Sequence, residues 1–297
     1  MRVLAEYVMR GRTQATLVVS LGMALPLTFW LGAAAAALVL LRRGPGDAAG
    51  IVIWGLLPSI LWSVFGEPRP LLVLTGTLLL AAVLRSSVSW VRVLLVSLGL
   101  GVLCGVVIDT VLAETVQATS RELQELMPQV LGEVYQQMAE SERQRVGELL
   151  APVLVGLMAA LLQAMCLLAL LLARYWQSLL YNPGGFAREF QALRLPAPLA
   201  IVLLAGIFLL PGLGSALAML TPLCSVPLAF AGMALLHGLV AQKRMAGFWL
   251  VGFYIALVFF MQVVFPLLVV LAVVDSLFDF RGRLARKPGS GSADGEG

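Results

Sequence analysis

Long apolar runs separated by short turns dominate the chain, and one long polar interval, residues 114–149, interrupts them. Gln14 to Leu41 is 28 residues without a charge, more than the ~20 that cross a bilayer as one helix. Pro26 lies in its middle, so the run predicts two short helices, about 4–25 and 28–42, with a turn between them, a single tilted helix being the alternative. Arg42-Arg43-Gly44-Pro45-Gly46-Asp47 follows as a basic turn. Further apolar helices are predicted at about 48–65, 71–85 and 92–113, then at about 150–173, 198–216 and 220–241. The last run, Met245 to Phe278, is again too long for one ordinary span. Pro266 inside it predicts helices of about 246–263 and 265–279. The sum is ten crossings. Runs such as Pro198 to Leu210 do not alternate polar with apolar residues, as the strands of a membrane β-barrel do. The fold class is therefore all-α: a polytopic membrane helical bundle of about 8–10 transmembrane helices with one extramembrane amphipathic segment.

The polar interval carries seven glutamates (Glu114, Glu122, Glu125, Glu133, Glu140, Glu142, Glu148) against three arginines (Arg121, Arg143, Arg145), a net charge of −4. Leu123, Leu126, Met127, Val130, Leu131, Val134 and Met138 form one stripe at helical spacing. Thr119 with Glu122, and Ser141 with Gln144, have capping-box spacing and would start two helices. Pro128 predicts a kink. The interval reads as an amphipathic hairpin on the bundle or the headgroups, with a gate or partner-docking element as the alternative. It divides the chain into an N-terminal bundle, 1–113, the acidic segment, 114–149, and a C-terminal bundle, 150–283. The Gly/Ser/acidic tail, 284–297, is expected to be disordered.

Composition agrees with a membrane class: 60% hydrophobic and 12% charged residues, against roughly 25% charged in soluble domains. A net charge of +4 does not indicate a nucleic-acid partner, because the basic residues sit at the ends of apolar runs. Cytoplasmic loops collect Lys and Arg in that way. With both termini cytoplasmic, 16 of the 20 basic residues fall inside, and Arg69, Arg121, Arg143 and Arg145 fall outside. The expected location is a bacterial cytoplasmic (inner) membrane, with the lipid bilayer as the surrounding partner. Arg2, Arg10 and Arg12 before an apolar run, with alanines at 33–37, have features of a signal peptide. The run continues to Leu41 and more spans follow, so the reading is an uncleaved first helix.

Candidate chemistry is sparse. The nucleotide, zinc-protease and serine-hydrolase motifs are absent, and His237 is the only histidine. Cys104, Cys166 and Cys224 lie singly in three apolar runs. No enzyme, cofactor or metal is indicated. Ionisable groups at membrane depth remain the candidates for ligand or partner binding. Asp109 lies near the outer end of its helix, at the interface or facing a solute or ion. His237 is read as a hydrogen-bonded interfacial residue or a proton relay. Asp275 precedes Phe278-Asp279-Phe280-Arg281-Gly282-Arg283 and is expected to pair with those arginines. Gln163 and Gln262 are lone amides suited to bridging helices. In the loop 174–196, Tyr175, Trp176, Tyr181, Phe186 and Phe190 suit the headgroup level. Asn182-Pro183-Gly184-Gly185 predicts a sharp turn whose glycine amides form a candidate anion nest, with Arg188 and Arg194 beside lipid phosphates.

Three stretches, "NPGGFAREFQALRLP" (182–196), "AGMALLHGLV" (231–240) and "DSLFDFRGR" (275–283), resemble the YybS-like family of bacterial membrane proteins, a domain of unknown function. The N-terminal half of that family is distantly similar to the substrate-binding subunits of energy-coupling-factor transporters and to MreD-like proteins. "GMALPLTFWLGAAAAALVLLRRG" (22–44) fits that pattern, and Ser20-xxx-Ala24 has the small-residue spacing by which such a first helix docks on a coupling subunit. The long acidic interval departs from it. Two functional expectations follow. One is a non-catalytic scaffold or regulator presenting loop 174–196 and the basic C-terminus to the cytoplasm, with a membrane protein or a coupling subunit as the candidate partner. The other is a transporter-like, solute-binding subunit, with a pocket between the short N-terminal helices and Asp109.

Overall fold

The computed structural model describes residues 1–243 and 245–286, and among these every regular element is helical. In chain order they are α1 (Arg2–Arg10), α2 (Arg12–Ala24), α3 (Phe29–Arg43), α4 (Pro45–Val64), α5 (Arg69–Ser87) and α6 (Trp90–Val111). The acidic interval supplies α7 (Ala113–Leu131), α8 (Glu133–Gln137) and the start of α9 (Glu140–Tyr181). Then come α10 (Gly185–Ala192), α11 (Ala197–Leu213), a 3-10 turn (Ser215–Met219), α12 (Leu220–Gln242), α13 (Phe248–Phe259), α14 (Met261–Phe278) and α15 (Phe280–Arg286). Of the tail expected from 284 onward, residues 287–297 lie outside the described residues.

Both long runs are split, by different local means. α2 stops at Ala24 because Leu25, the residue before Pro26, is driven to extended geometry. The last run breaks at Phe260 rather than at Pro266, which sits inside α14. The ring of Pro266 crowds the carbonyl four residues back, at Gln262, so the interruption lies upstream of the proline. The helix expected at 4–25 has a further break, at Gly11, whose backbone is extended.

Among the described residues six helices are long and apolar enough to cross a membrane: α4, α5, α6, α9, α12 with its preceding turn, and α14. The bent pair α10 and α11, at 67°, would make a seventh. The protein is thus an all-α, multi-pass membrane bundle. The remaining three of the ten expected crossings are the products of the splits: α2, α3 and α13, of 13, 15 and 12 residues. At 1.5 Å per residue they reach only about 18–23 Å, short of a ~30 Å hydrocarbon core.

The acidic interval is built differently from the expected hairpin. Thr119 lies inside α7, which starts at Ala113. The second helix starts nearly three turns before the span expected from about 150, at Glu140, where the Glu142 carboxylate accepts from the Ala139 N–H at 3.1 Å. It then continues unbroken to Tyr181. At 42 residues, α9 is about 63 Å long, so no helix boundary exists at 149/150.

The described residues form two compact units that follow a different partition from 1–113, 114–149 and 150–283. One comprises Met1–Arg188 with Val202–Pro227; the other comprises Glu189–Ile201 with the chain from Leu228 onward. The centre of the first is α3, where every residue from Gly32 to Leu41 is buried. Alanines 33–37 are fully enclosed, and α2, α4, α5 and α9 all pack against this helix. Small side chains let neighbouring backbones come close where lipid provides no hydrophobic drive. At Gly22 an added Cβ would lie 2.8 Å from the Cα of Gly32, so α2 meets α3 through that pair. One end of the unit is arginine-rich. Arg85 donates to the carbonyls of Leu40 and Leu41, Arg43 donates to Met9, and Arg42 lies over the Tyr181 ring at 4.0 Å.

Candidate functional site

The second unit holds the most developed polar constellation, at the end of α14. That helix terminates because Asp279 adopts left-handed geometry (φ 50°), with its N–H donating to the Asp275 carbonyl. Aspartate tolerates this conformation better than most residues. The turn brings the Phe280 N–H to Asp275 Oδ1 at 3.2 Å and the Arg281 Nη2 to Asp275 Oδ2 at 2.8 Å. Asp275 is 2% exposed and Arg281 8% exposed, so this is a buried ion pair. The arginine also ties down neighbouring backbone: Nη1 donates to the Gln191 carbonyl at 2.6 Å and Nη2 to the Leu193 carbonyl at 2.9 Å.

Arg194 completes a reciprocal arrangement. Its Nε and Nη2 donate to the carbonyls of Asp275 and Ser276, and Nη1 lies 3.2 Å from the Asp279 carboxylate. The arginine that follows α10 caps α14, and the arginine that follows α14 caps α10. Both donate to carbonyls in the last turn of a helix or just beyond it. Gly238 of α12 permits the approach, since an added Cβ would sit 2.9 Å from the Gln191 carbonyl oxygen and 3.0 Å from Arg281 Cδ. One residue before it, His237 shares a 2.8 Å hydrogen bond with the Tyr254 hydroxyl of α13 and lies edge-on to Phe190.

The expected pairing of Asp275 with the following arginines is thus present, and the hydrogen-bonded reading of His237 fits its contact with Tyr254. The three stretches that carry the family resemblance meet here through Gln191 and Arg194, His237 and Gly238, and Asp275 to Arg281. Sequence reasoning missed Gln191, Arg194 as a cap, Gly238 and Tyr254. For Arg194 the recurrence of arginine just beyond a helix end gave a signal; for the other three there was none.

The other candidates belong to the first unit. Asn182 ends α9, and Gly184 takes positive φ (79°), which makes the sharp turn. The glycine nest is not formed. The Gly185 N–H donates to the Asn182 carbonyl, the Phe186 N–H to Ser178 Oγ, and the Arg188 N–H to the Gly184 carbonyl. Local turn bonds use the amides an anion would need. Arg188 is exposed. Asp109 is exposed on α6, and the groove at the short N-terminal helices, between α2 and α4, is not lined by it.

Gln163 does bridge helices: its Nε2 donates to Ser97 Oγ of α6 at 3.0 Å, with both residues fully buried. Its Oε1 has no partner among the described residues, and Ser97 already donates to the Leu94 carbonyl. Gln262 is exposed. An orphaned buried carbonyl offsets the gain from one neutral hydrogen bond. Gln163→Leu is therefore expected to leave the thermal unfolding midpoint in detergent unchanged or to raise it. Gln163→Ala, which leaves a cavity, should lower it. A Leu variant less stable than the natural protein would show that the amide is a net stabiliser.

Compared with protein-family models, with curated proteins and with solved structures, the chain matches none.

Proposed function

We propose that the protein is a non-catalytic scaffold or regulator of a bacterial cytoplasmic membrane, with both termini cytoplasmic. The partner-facing elements in this reading are the turn at 182–188 and the arginine-rich end of the first unit. One observation carries it: the buried ionisable pair, Asp275 and Arg281, is taken up by contacts at helix ends. A carboxylate serving a solute path would instead face a cavity. The turn adds support, because its amides are closed by local bonds while Arg188 projects outward as a cation for a partner. A transporter-like subunit remains the second reading, favoured by the discontinuous pairs α2/α3, α10/α11 and α13/α14, since broken helices often line membrane sites.

Native mass spectrometry of the protein released gently from its own membrane separates the two. The scaffold reading expects a retained cell-envelope protein whose occupancy falls severalfold in Arg188→Glu. A retained metabolite, or a coupling subunit with its ATPases, would overturn it in favour of transport.

A further inference from the structure

We propose that the groove between α2 and α4 is a binding site for a phospholipid with a primary-ammonium zwitterionic headgroup, the phosphatidylethanolamine type. This rests on the membrane reading of the spans and is independent of the scaffold role. Arg12 of α2 is paired with Asp47 of α4 at the arginine-rich end. Toward the other end the Trp62 indole N–H donates to the Ala24 carbonyl. The two helices therefore run side by side in one direction, and the groove follows their axes.

Its volume is about 450 Å³, within the range of small-molecule sites. The lining changes along the groove from polar to apolar. Arg12, Thr13 and Asp47 form the polar mouth, and Thr16, Leu17, Ile51 and Trp54 line the stretch that follows along the helices. Seven residues of α4 separate Asp47 from Trp54, about 10 Å of rise, so a headgroup and the start of an acyl chain fall at their matching levels. Two glycines keep the slot open. A Cβ at Gly46 or Gly50 would meet nothing within 4 Å, whereas the next glycine of the helix, Gly55, is filled by the Val19 side chain at 2.6 Å.

The mouth offers opposite charges side by side. Arg12 uses one N–H on Asp47 and retains four for a phosphate. Asp47 Oδ2 is left for an ammonium donor. A choline headgroup has no N–H to give it. An anionic headgroup would meet Arg12 but also the carboxylate. The pair therefore selects a lipid that carries both a phosphate and a hydrogen-bonding cation.

The test is a native mass-spectrometric titration of the delipidated full-length protein with phosphatidylethanolamine, phosphatidylcholine and phosphatidylglycerol of matched acyl chains. Phosphatidylethanolamine is expected to bind about tenfold more tightly than phosphatidylcholine, the size of one charge-assisted hydrogen bond. Asp47→Asn should erase that difference. Gly50→Leu, which extends into open space, should weaken phosphatidylethanolamine about tenfold with an unfolding midpoint no lower than that of the natural protein. Equal binding of the ethanolamine and choline lipids by the natural protein, tighter binding of phosphatidylglycerol, or full binding by Gly50→Leu would each overturn the assignment.

Discussion

Replacing Arg281 by methionine is expected to destabilise the protein by about 3–5 kcal/mol, the cost of removing one member of a buried ion pair. The methionine fills similar space but leaves three acceptors without a donor: the Gln191 and Leu193 carbonyls and Asp275 Oδ2. Asp275→Asn should cost less. The Arg281 guanidinium keeps its two backbone acceptors, and the asparagine oxygen still accepts from the Phe280 N–H. The double variant Asp275→Leu/Arg281→Met removes both charges and is expected to recover part of the loss, since an apolar replacement of a whole buried pair is often tolerated. The measurement is the unfolding midpoint in detergent, with the exposed Arg283→Gln as reference. If Arg281→Met moved it no further than Arg283→Gln does, the pair would not hold the second unit together.

What the sequence disclosed depended on how far the determining interaction reaches along the chain. Spans with no internal break, such as α5 and α6, were legible because backbone groups in lipid must be satisfied within the segment. The proline breaks were legible in existence and less so in place: Leu25 was found beside Pro26, but the second interruption fell six residues before Pro266. Gly11 gave no warning, because an extended residue can be anything. The fusion of the acidic segment to its span in α9 was hidden by a change of solvent partway along one helix. Polarity changes there, but helical periodicity does not.

The arginines taught a related lesson. Their positions read as a statement of membrane sidedness, and sidedness alone would leave them at the surface. Arg43, Arg85, Arg194 and Arg281 instead fold back on carbonyls, so one residue type serves both charge distribution and helix termination. For Asp275 the local spacing revealed the partner. Gln191 and Leu193, some 90 residues away in the chain, lay beyond any local rule. Alanines 33–37, in sequence a mimic of a cleavage site, turned out to be the most enclosed part of the first unit, which only the packing of several helices on α3 makes evident.

Gly156→Ala is the second large effect, and its sign runs against helix propensity. Alanine is preferred to glycine inside a helix by roughly 0.5–1 kcal/mol. At Gly99 of α6, where an added Cβ would meet nothing within 4 Å, that gain should be realised as a small rise in stability. Gly156 faces the backbone of the 3-10 turn instead. Its Cβ would lie 2.3 Å from the Met219 carbonyl oxygen and 2.7 Å from the Met219 Cα. Backbone cannot rotate out of the way as a side-chain tip can, so the turn must shift as a body. Met219 also packs its Sδ and Cε against Gly105 of α6, and a displaced turn loses that contact as well. Overpacking of this kind typically costs about 1–3 kcal/mol, which outweighs the propensity gain. Unfolding midpoints of the two alanine variants should therefore move in opposite directions, Gly99→Ala up and Gly156→Ala down. A rise in both would mean that α9 and the turn are farther apart than this geometry requires.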